Sequence, residues 1–145
     1  MELNKLSITV RGIILHDDKF LLVKMPHNNF YCLPGGKLDF NEGIEECLER
    51  ELVEELGIKP KIGRLLYVNN FILKGTEQCL DFIFEVKNGK DYLDLENVNR
   101  THAFELSEIC WKSRDEDIKF LPEKIFNDFK EGKVLSDEVR FIKQY

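Results

Sequence analysis

The sequence predicts an α/β protein, a mixed β-sheet between helices, in a single domain over residues 1–145. Three observations lead there. Apolar, β-branched runs come in pairs separated by turn residues. One long amphipathic helix follows the first pair, and a second follows the last runs. Strand pairs interrupted by helices form a sheet covered by those helices. A chain of 145 residues buries roughly 68–70% of its unfolded surface, so its core needs no disulfide or metal staple.

In chain order, residues 6–15, LSITVRGIIL, read as a strand. His16-Asp17-Asp18-Lys19 is a turn, and Phe20–Lys24 is the returning strand of a hairpin. Met25 to Phe40 is loop-like, with Pro26, Asn28, Asn29, Pro34, Gly35 and Gly36. A helix follows over Glu42–Leu56, with Asn41 as its N-cap, Gly57 at the left-handed C′ position and Pro60 blocking continuation. Arg64–Leu73 and Gln78–Val86 form a second hairpin around Lys74-Gly75-Thr76-Glu77, and Asn88-Gly89 ends it. Thr101–Leu106 reads as a short strand, and Ser107 as the cap of a short helix. Pro122 opens a helix to about Lys130, with Ile125, Phe126 and Phe129 at helical spacing.

Composition removes several function classes. Hydrophobic residues at 43% and charged residues at 33% argue against disordered, collagenous and membrane chains. Acids exceed bases by 27 to 21, so no basic excess marks a non-specific nucleic-acid binder. A small anionic substrate would need a cation to bridge it to this acidic chain. Cys32, Cys47, Cys79 and Cys110 form no CxxC pair and read as reduced thiols. The start, Met1-Glu2-Leu3-Asn4-Lys5, lacks the order of a signal peptide, and no apolar run approaches the roughly 18 residues of a membrane span. The expected location is the cytoplasm.

Residues 42–55 read EGIEECLERELVEE. Seven of the fourteen are Glu and Arg50 is the only cation, so a solvated acidic face would explain the composition alone. The helical wheel adds a constraint. Ile44, Leu48, Leu52 and Leu56 form one apolar stripe, and Glu55 falls inside it, about 20° from Leu48. Glu51 lies on the edge of the stripe and Glu54 roughly 60° further round. Arg50 projects to nearly the opposite side from Glu55. A carboxylate on a core-facing stripe is costly unless paired or metal-bound. Carboxylates at i, i+3 and i+4 suit a hard divalent cation such as Mg²⁺, which prefers oxygen ligands. Just upstream, Leu33-Pro34-Gly35-Gly36-Lys37 reads as a tight turn whose glycines also let the backbone approach a metal or phosphate.

Gly36–Ile58 resembles the Nudix box. Gly36 is followed by five residues and Glu42, then seven residues and Arg50-Glu51, Leu52, Val53, Glu54-Glu55, Leu56, Gly57 and Ile58. Every fixed position is filled at the family's spacing. The resemblance implies a Nudix-type α/β/α sandwich and hydrolysis of a nucleoside diphosphate linked to another moiety. It implies that Glu51, Glu54 and Glu55 hold Mg²⁺ or Mn²⁺, with a main-chain carbonyl near Gly35 completing the shell. Arg50 would orient the glutamates, Glu42 would brace the loop, and Gly57 would be structural. The base would be Glu51, Glu54 or an acid outside the box, with Glu85, Glu96 and Glu105 as downstream candidates.

Isolated residues carry less. His16, His27 and His102 have no metal-type spacing, and Phe30, Tyr31 and Trp111 either close the core or offer a ring to a base. Signatures of particular Nudix branches are missing. Lys74 stands where the ADP-ribose branch tends to have proline, and Lys74, Gly75 and Thr76 replace the tyrosine of the dinucleoside-polyphosphate branch. Leu21-Leu22-Val23-Lys24-Met25 departs from the coenzyme A element, and the proline-rich element of the NADH branch is absent. The expected substrate is a nucleoside triphosphate or nucleotide sugar, and the expected partner a small nucleotide, with a homodimer left open. Two other readings compete: a catalytically silent nucleotide-binding or regulatory module, and an isomerase acting on an allylic diphosphate. Retention of Glu51, Glu54 and Glu55 favours the hydrolase over the first, and the short chain disfavours the second.

Overall fold

The paired apolar runs assemble into one seven-stranded mixed sheet in a computed structural model that describes residues 5–95, 106 and 108–145. Its strands are β1 (Lys5–His16), β2 (Lys19–Lys24), β3 (Gly35–Lys37), β4 (Ile62–Leu73), β5 (Glu77–Val86), β6 (Glu108–Ser113) and β7 (Arg140–Gln144). Helix α1 spans Ile44–Leu56 and α2 spans Glu123–Lys130. The sheet order is β6-β2-β1-β5-β4-β7, with β3 added to β1. β1 runs parallel to β5, and β4 to β7; the other pairs are antiparallel.

Both hairpins form as the sequence predicts. Asp17 and Asp18 take positive φ at the first turn and Gly75 at the second. Alternation along the strands sends successive side chains to opposite faces. Ile13 and Leu22 pack with Phe126 and Phe129 of α2, while Ile14 and Leu21 pack with Leu48, Leu52 and Leu56 of α1. The sheet therefore carries one apolar core on each face, with a helix on each, as expected.

Some boundaries differ. α1 begins two residues later than predicted, because Asn41 adopts φ 65° and Gly43 occupies the N-cap position. Glu42 thus precedes the helix, and its carboxylate accepts the Asp39 amide. The helix stops where predicted: Gly57, at φ 80°, donates its amide to the carbonyls of Leu52 and Val53. The Met25–Phe40 loop contains β3, invisible in sequence because two of its three residues are glycines without a side-chain pattern. The segment after Ser107 is β6 rather than a helix, since pairing with β2 places Ile109 and Trp111 against the α1-side core. The Thr101–Leu106 strand lies outside the described residues, apart from Leu106, which is buried in no strand. So do Glu96, His102, Glu105 and Ser107.

Candidate active site

The carboxylate that the helical wheel places on the apolar stripe is buried. Glu55 is only 3% exposed, and its Oε2 accepts the Gly35 amide at 3.3 Å. The two glycines that meet α1 leave no room for a side chain as the neighbours stand. Gly35 has φ +144°, and a Cβ there would sit 2.1 Å from the Val10 carbonyl oxygen. A Cβ on Gly36 would lie 2.4 Å from the Glu51 carboxylate. Sheet pairing of Gly35 and Gly36 with Arg11 and Val10 holds this loop against the helix. One strand end therefore faces the two carboxylates Glu51 and Glu55.

Arg50 does more than the wheel suggests. Its long side chain folds back past the helix start, so Nε meets Glu42 Oε2 at 2.7 Å and Nη2 meets Glu42 Oε1 at 3.0 Å. That is a two-pronged guanidinium–carboxylate pair, strong and directional. Nη1 reaches Glu51 Oε1 at 2.9 Å and Glu54 Oε2 at 3.3 Å, and Nη2 donates to the Lys37 carbonyl at 3.1 Å. One cation thus ties the loop, the helix start and two of the three predicted metal ligands. It also offsets much of the self-repulsion expected of a helix this acidic. The Arg50 hydrogen bond is the main cause that holds the Glu42 carboxyl down at about 2, and the same bond raises Arg50 above its usual range. Burial pushes the neighbouring Cys47 thiol up to about 12, so it stays protonated and donates to the Lys37 carbonyl.

A divalent cation needs oxygen donors that can converge. Among the described residues no three Asp, Glu, His or Cys side chains stand together as a ready-made cage. The donor set nevertheless fits in kind: Glu51, Glu54 and Glu55 occupy five consecutive residues of one helix, and the Gly36 backbone leaves no room between itself and Glu51.

Glu51 and Glu55 line a cleft of about 690 Å³ whose floor is the α2-side face of β1, β4 and β5. That floor is polar. Asp81 accepts from Thr9 Oγ1 and, at 3.0 Å, from Asn69 Nδ2; the Arg11 Nε lies 3.7 Å from it. Asn69 also donates to Gln144 at 2.9 Å. Phe30, Phe71 and Pro122 supply apolar walls. The sequence reading missed Thr9, Arg11, Asn69 and Asp81. The available signal was the polar phase of strands that are otherwise apolar.

Other predicted candidates lie elsewhere. Glu85 packs beside Gly63 and is not among the cleft residues. His16 lies against Trp111, whose indole donates to the Tyr92 carbonyl. His27 is exposed. Tyr31 bonds Glu108 under the ammonium groups of Lys24 and Lys112, whereas Phe30 does line the cleft.

Comparison with known proteins decides the family. The NUDIX domain model matches residues 6–128. The chain belongs to the Nudix family. An ADP-ribose pyrophosphatase of Methanocaldococcus jannaschii is 43% identical over 65 residues, which are 43% of this chain and 38% of that protein. An RNA pyrophosphohydrolase of Haemophilus influenzae is 38% identical over 65 residues, 43% of this chain and 33% of that protein. The matched stretch thus spans well under half of either relative's length. A MutT NUDIX hydrolase from Burkholderia pseudomallei shares the fold at a TM-score of 0.70 and 22% identity, covering 87% of this chain and 97% of that one. Nudix hydrolases generally use divalent metal ions. Among the described residues no helix is long and apolar enough to cross a membrane.

Proposed function

We propose that this Nudix chain is a pyrophosphohydrolase that cleaves a nucleoside diphosphate linked to another moiety, by attack of water on phosphorus. The observation that carries the reading is Glu55, a carboxylate buried to 3% exposure, bonded to the Gly35 amide and beside Glu51 at the cleft. A merely acidic surface helix would not bury a charge there.

Glu51, Glu54 and Glu55, with a carbonyl near Gly35, would hold Mg²⁺ or Mn²⁺. Bound there, the ion supplies charge neutralisation for the diphosphate and stabilises the leaving oxygen. The chain's own residues do the rest. Arg50 fixes the rotamers of Glu51 and Glu54, so their free energy of ordering is met before substrate arrives. A carboxylate at Glu51 or Glu54 takes the proton of the attacking water. The polar floor of Thr9, Arg11, Asn69 and Asp81 hydrogen-bonds the nucleoside part, and Phe30 offers a ring for stacking.

The substrate class we favour is a nucleoside triphosphate or nucleotide sugar. The relatives named for ADP-ribose and RNA share only part of their length with this chain, and Lys74 stands where the ADP-ribose branch tends to carry proline. The working unit in this reading is one domain over residues 1–145, in the cytoplasm, with its four cysteines free of disulfides. A silent nucleotide-binding module is the second reading, and retention of all three glutamates weighs against it. The test is a panel of nucleoside diphosphate derivatives with Mg²⁺ or Mn²⁺, scored for phosphate-containing products. Metal-dependent release from at least one class supports hydrolysis. Tight nucleotide binding without turnover of any class supports the silent module.

A further inference from the structure

Two cations line the cleft among the described residues, and they stand differently. Lys37 ends β3 and is exposed, whereas Arg11 lies within. Arg11 follows Thr9 by two residues on β1, so both side chains rise on the cleft face, roughly 7 Å apart along the strand. Gly35 of β3 lies opposite Arg11 on one side and Ile83 of β5 on the other. The glycine clears its path, since a Cβ there would stand 3.0 Å from Arg11 Cγ. The guanidinium thus comes within electrostatic reach of both Asp81, in the polar floor, and Glu55, in the metal-site helix. A guanidinium carries five N–H donors. Nη1 donates to the Leu33 carbonyl at 2.8 Å, and Nε faces Asp81 Oδ1 at 3.7 Å, an ion pair too long for a hydrogen bond. Among the described residues Nη2 has no bonded partner, although the side chain is 27% exposed and lines the cleft.

We propose, resting on the function given above, that Arg11 binds the phosphate adjoining the substrate's nucleoside, with Nη2 as the donor. With the nucleoside on the floor of Thr9, Asn69 and Asp81 and the diphosphate over Glu51 and Glu55, that phosphate is the first anionic group on the way from base to metal site. It comes at the level of Arg11, between the two. A guanidinium beside a phosphate makes short, charge-assisted bonds whose planar geometry fits the oxygens. An arginine kept only to neutralise Asp81 would close on it, as Arg50 closes on Glu42 at 2.7 and 3.0 Å. Arg11 stands off instead, pinned by the Leu33 carbonyl. Its charge also answers a problem of the cleft itself. Glu51, Glu55, Glu77 and Asp81 line it, so an anionic substrate meets repulsion unless a cation lies among them.

The experiment is isothermal titration calorimetry on the whole chain in EDTA, with adenosine, guanosine, cytidine and uridine and with their 5′-monophosphates. The quantity read is the ratio of nucleoside Kd to monophosphate Kd for one base. Wild type should show a ratio of at least about tenfold for the base it binds best. Arg11→Gln should bring that ratio below about threefold, with circular dichroism confirming the fold. Arg11→Lys decides the matter if the glutamine variant does not fold. Lysine keeps the charge beside Asp81 but has one head group for both the Leu33 carbonyl and the phosphate, so the ratio should fall at least about threefold. No metal is present and no bond is cleaved, so a chain that binds nucleotides without hydrolysing them would still show the wild-type ratio. Failure of hydrolysis and failure of this contact are thereby told apart. A wild type that binds no monophosphate more tightly than its nucleoside would overturn the proposal. So would a ratio unchanged in the variant that folds, including an equal loss of both affinities, which would mark Arg11 as a strut of the floor.

Discussion

Arg50 clasps Glu42 with two nitrogens, at 2.7 and 3.0 Å, and holds Glu51 with a third at 2.9 Å. A loop residue and a candidate metal ligand are therefore set by one guanidinium. Arg50→Ala should lower turnover by orders of magnitude, whereas Lys24→Ala, whose ammonium lies over the Tyr31 ring, should stay near wild type. Arg64→Ala should do the same, since Arg64 pairs with exposed Asp137. Arg50→Ala should also cost about 1–2 kcal/mol of stability, because Glu42 and Glu51 lose their partner in a half-buried site. Steady-state kinetics beside urea melts separates the two effects. Equal kinetic loss in all three variants would remove the orienting role.

Glu42 gives a pH signature. Its folded pKa of about 2 lies below the ordinary 4.5, so its carboxylate stabilises the fold above about pH 4.5. That contribution is lost as pH falls from 4.5 towards 2. Glu42→Gln should therefore flatten the fall of Tm with acid inside that window and lower Tm at neutral pH. Thermal melts from pH 2 to 5 check this, and an unchanged slope in the variant would refute the pairing.

Gly36→Ala isolates the loop's second role. The new methyl would lie 2.4 Å from the Glu51 carboxylate, so Glu51 must leave its place. Metal-dependent turnover should collapse while circular dichroism changes little. A fully active Gly36→Ala enzyme would show that Glu51 need not stand there.

What was legible in the sequence follows from how local the information is. The α1 stripe, its Gly57 stop and the buried Glu55 all sit within one short segment, where helical geometry alone fixes the relationships. The wheel gave the direction of the Arg50 Cβ, and the family resemblance its orienting role, but neither gave the reach that brings its side chain back to Glu42. β3 was lost because Gly35 and Gly36 have no side chains to alternate. The cleft floor was lost for another reason: Thr9 and Asp81 lie 72 residues apart in sequence and meet only through parallel pairing of β1 and β5. No local pattern announces such a pair.

Metal binding should register as stability. Any ligand that binds the folded state alone stabilises it, by about 2.7 kcal/mol at a hundred-fold excess over Kd. Saturating Mg²⁺ or Mn²⁺ should therefore raise Tm by several degrees, and Ca²⁺ or buffer alone should do less. An unmoved melting curve, together with no bound ion in equilibrium dialysis, would remove the metal from the site.

Glu55 against Glu49 is the most direct test, because the two glutamates share one helix and differ in place. Glu55 is buried against Gly35, while Glu49 lies near Lys59 at 3.5 Å on the outer side. The measurement is metal-dependent hydrolysis of the best substrate by Glu55→Gln and Glu49→Gln, with Mn²⁺ affinity recorded alongside. The amide in Glu55→Gln can still accept the Gly35 N–H, so the fold should hold. Turnover should drop by orders of magnitude and Mn²⁺ binding should weaken, since an amide oxygen is a poorer ligand than a carboxylate. Glu49→Gln should match wild type in both. An active Glu55→Gln enzyme with unchanged metal dependence would contradict the account.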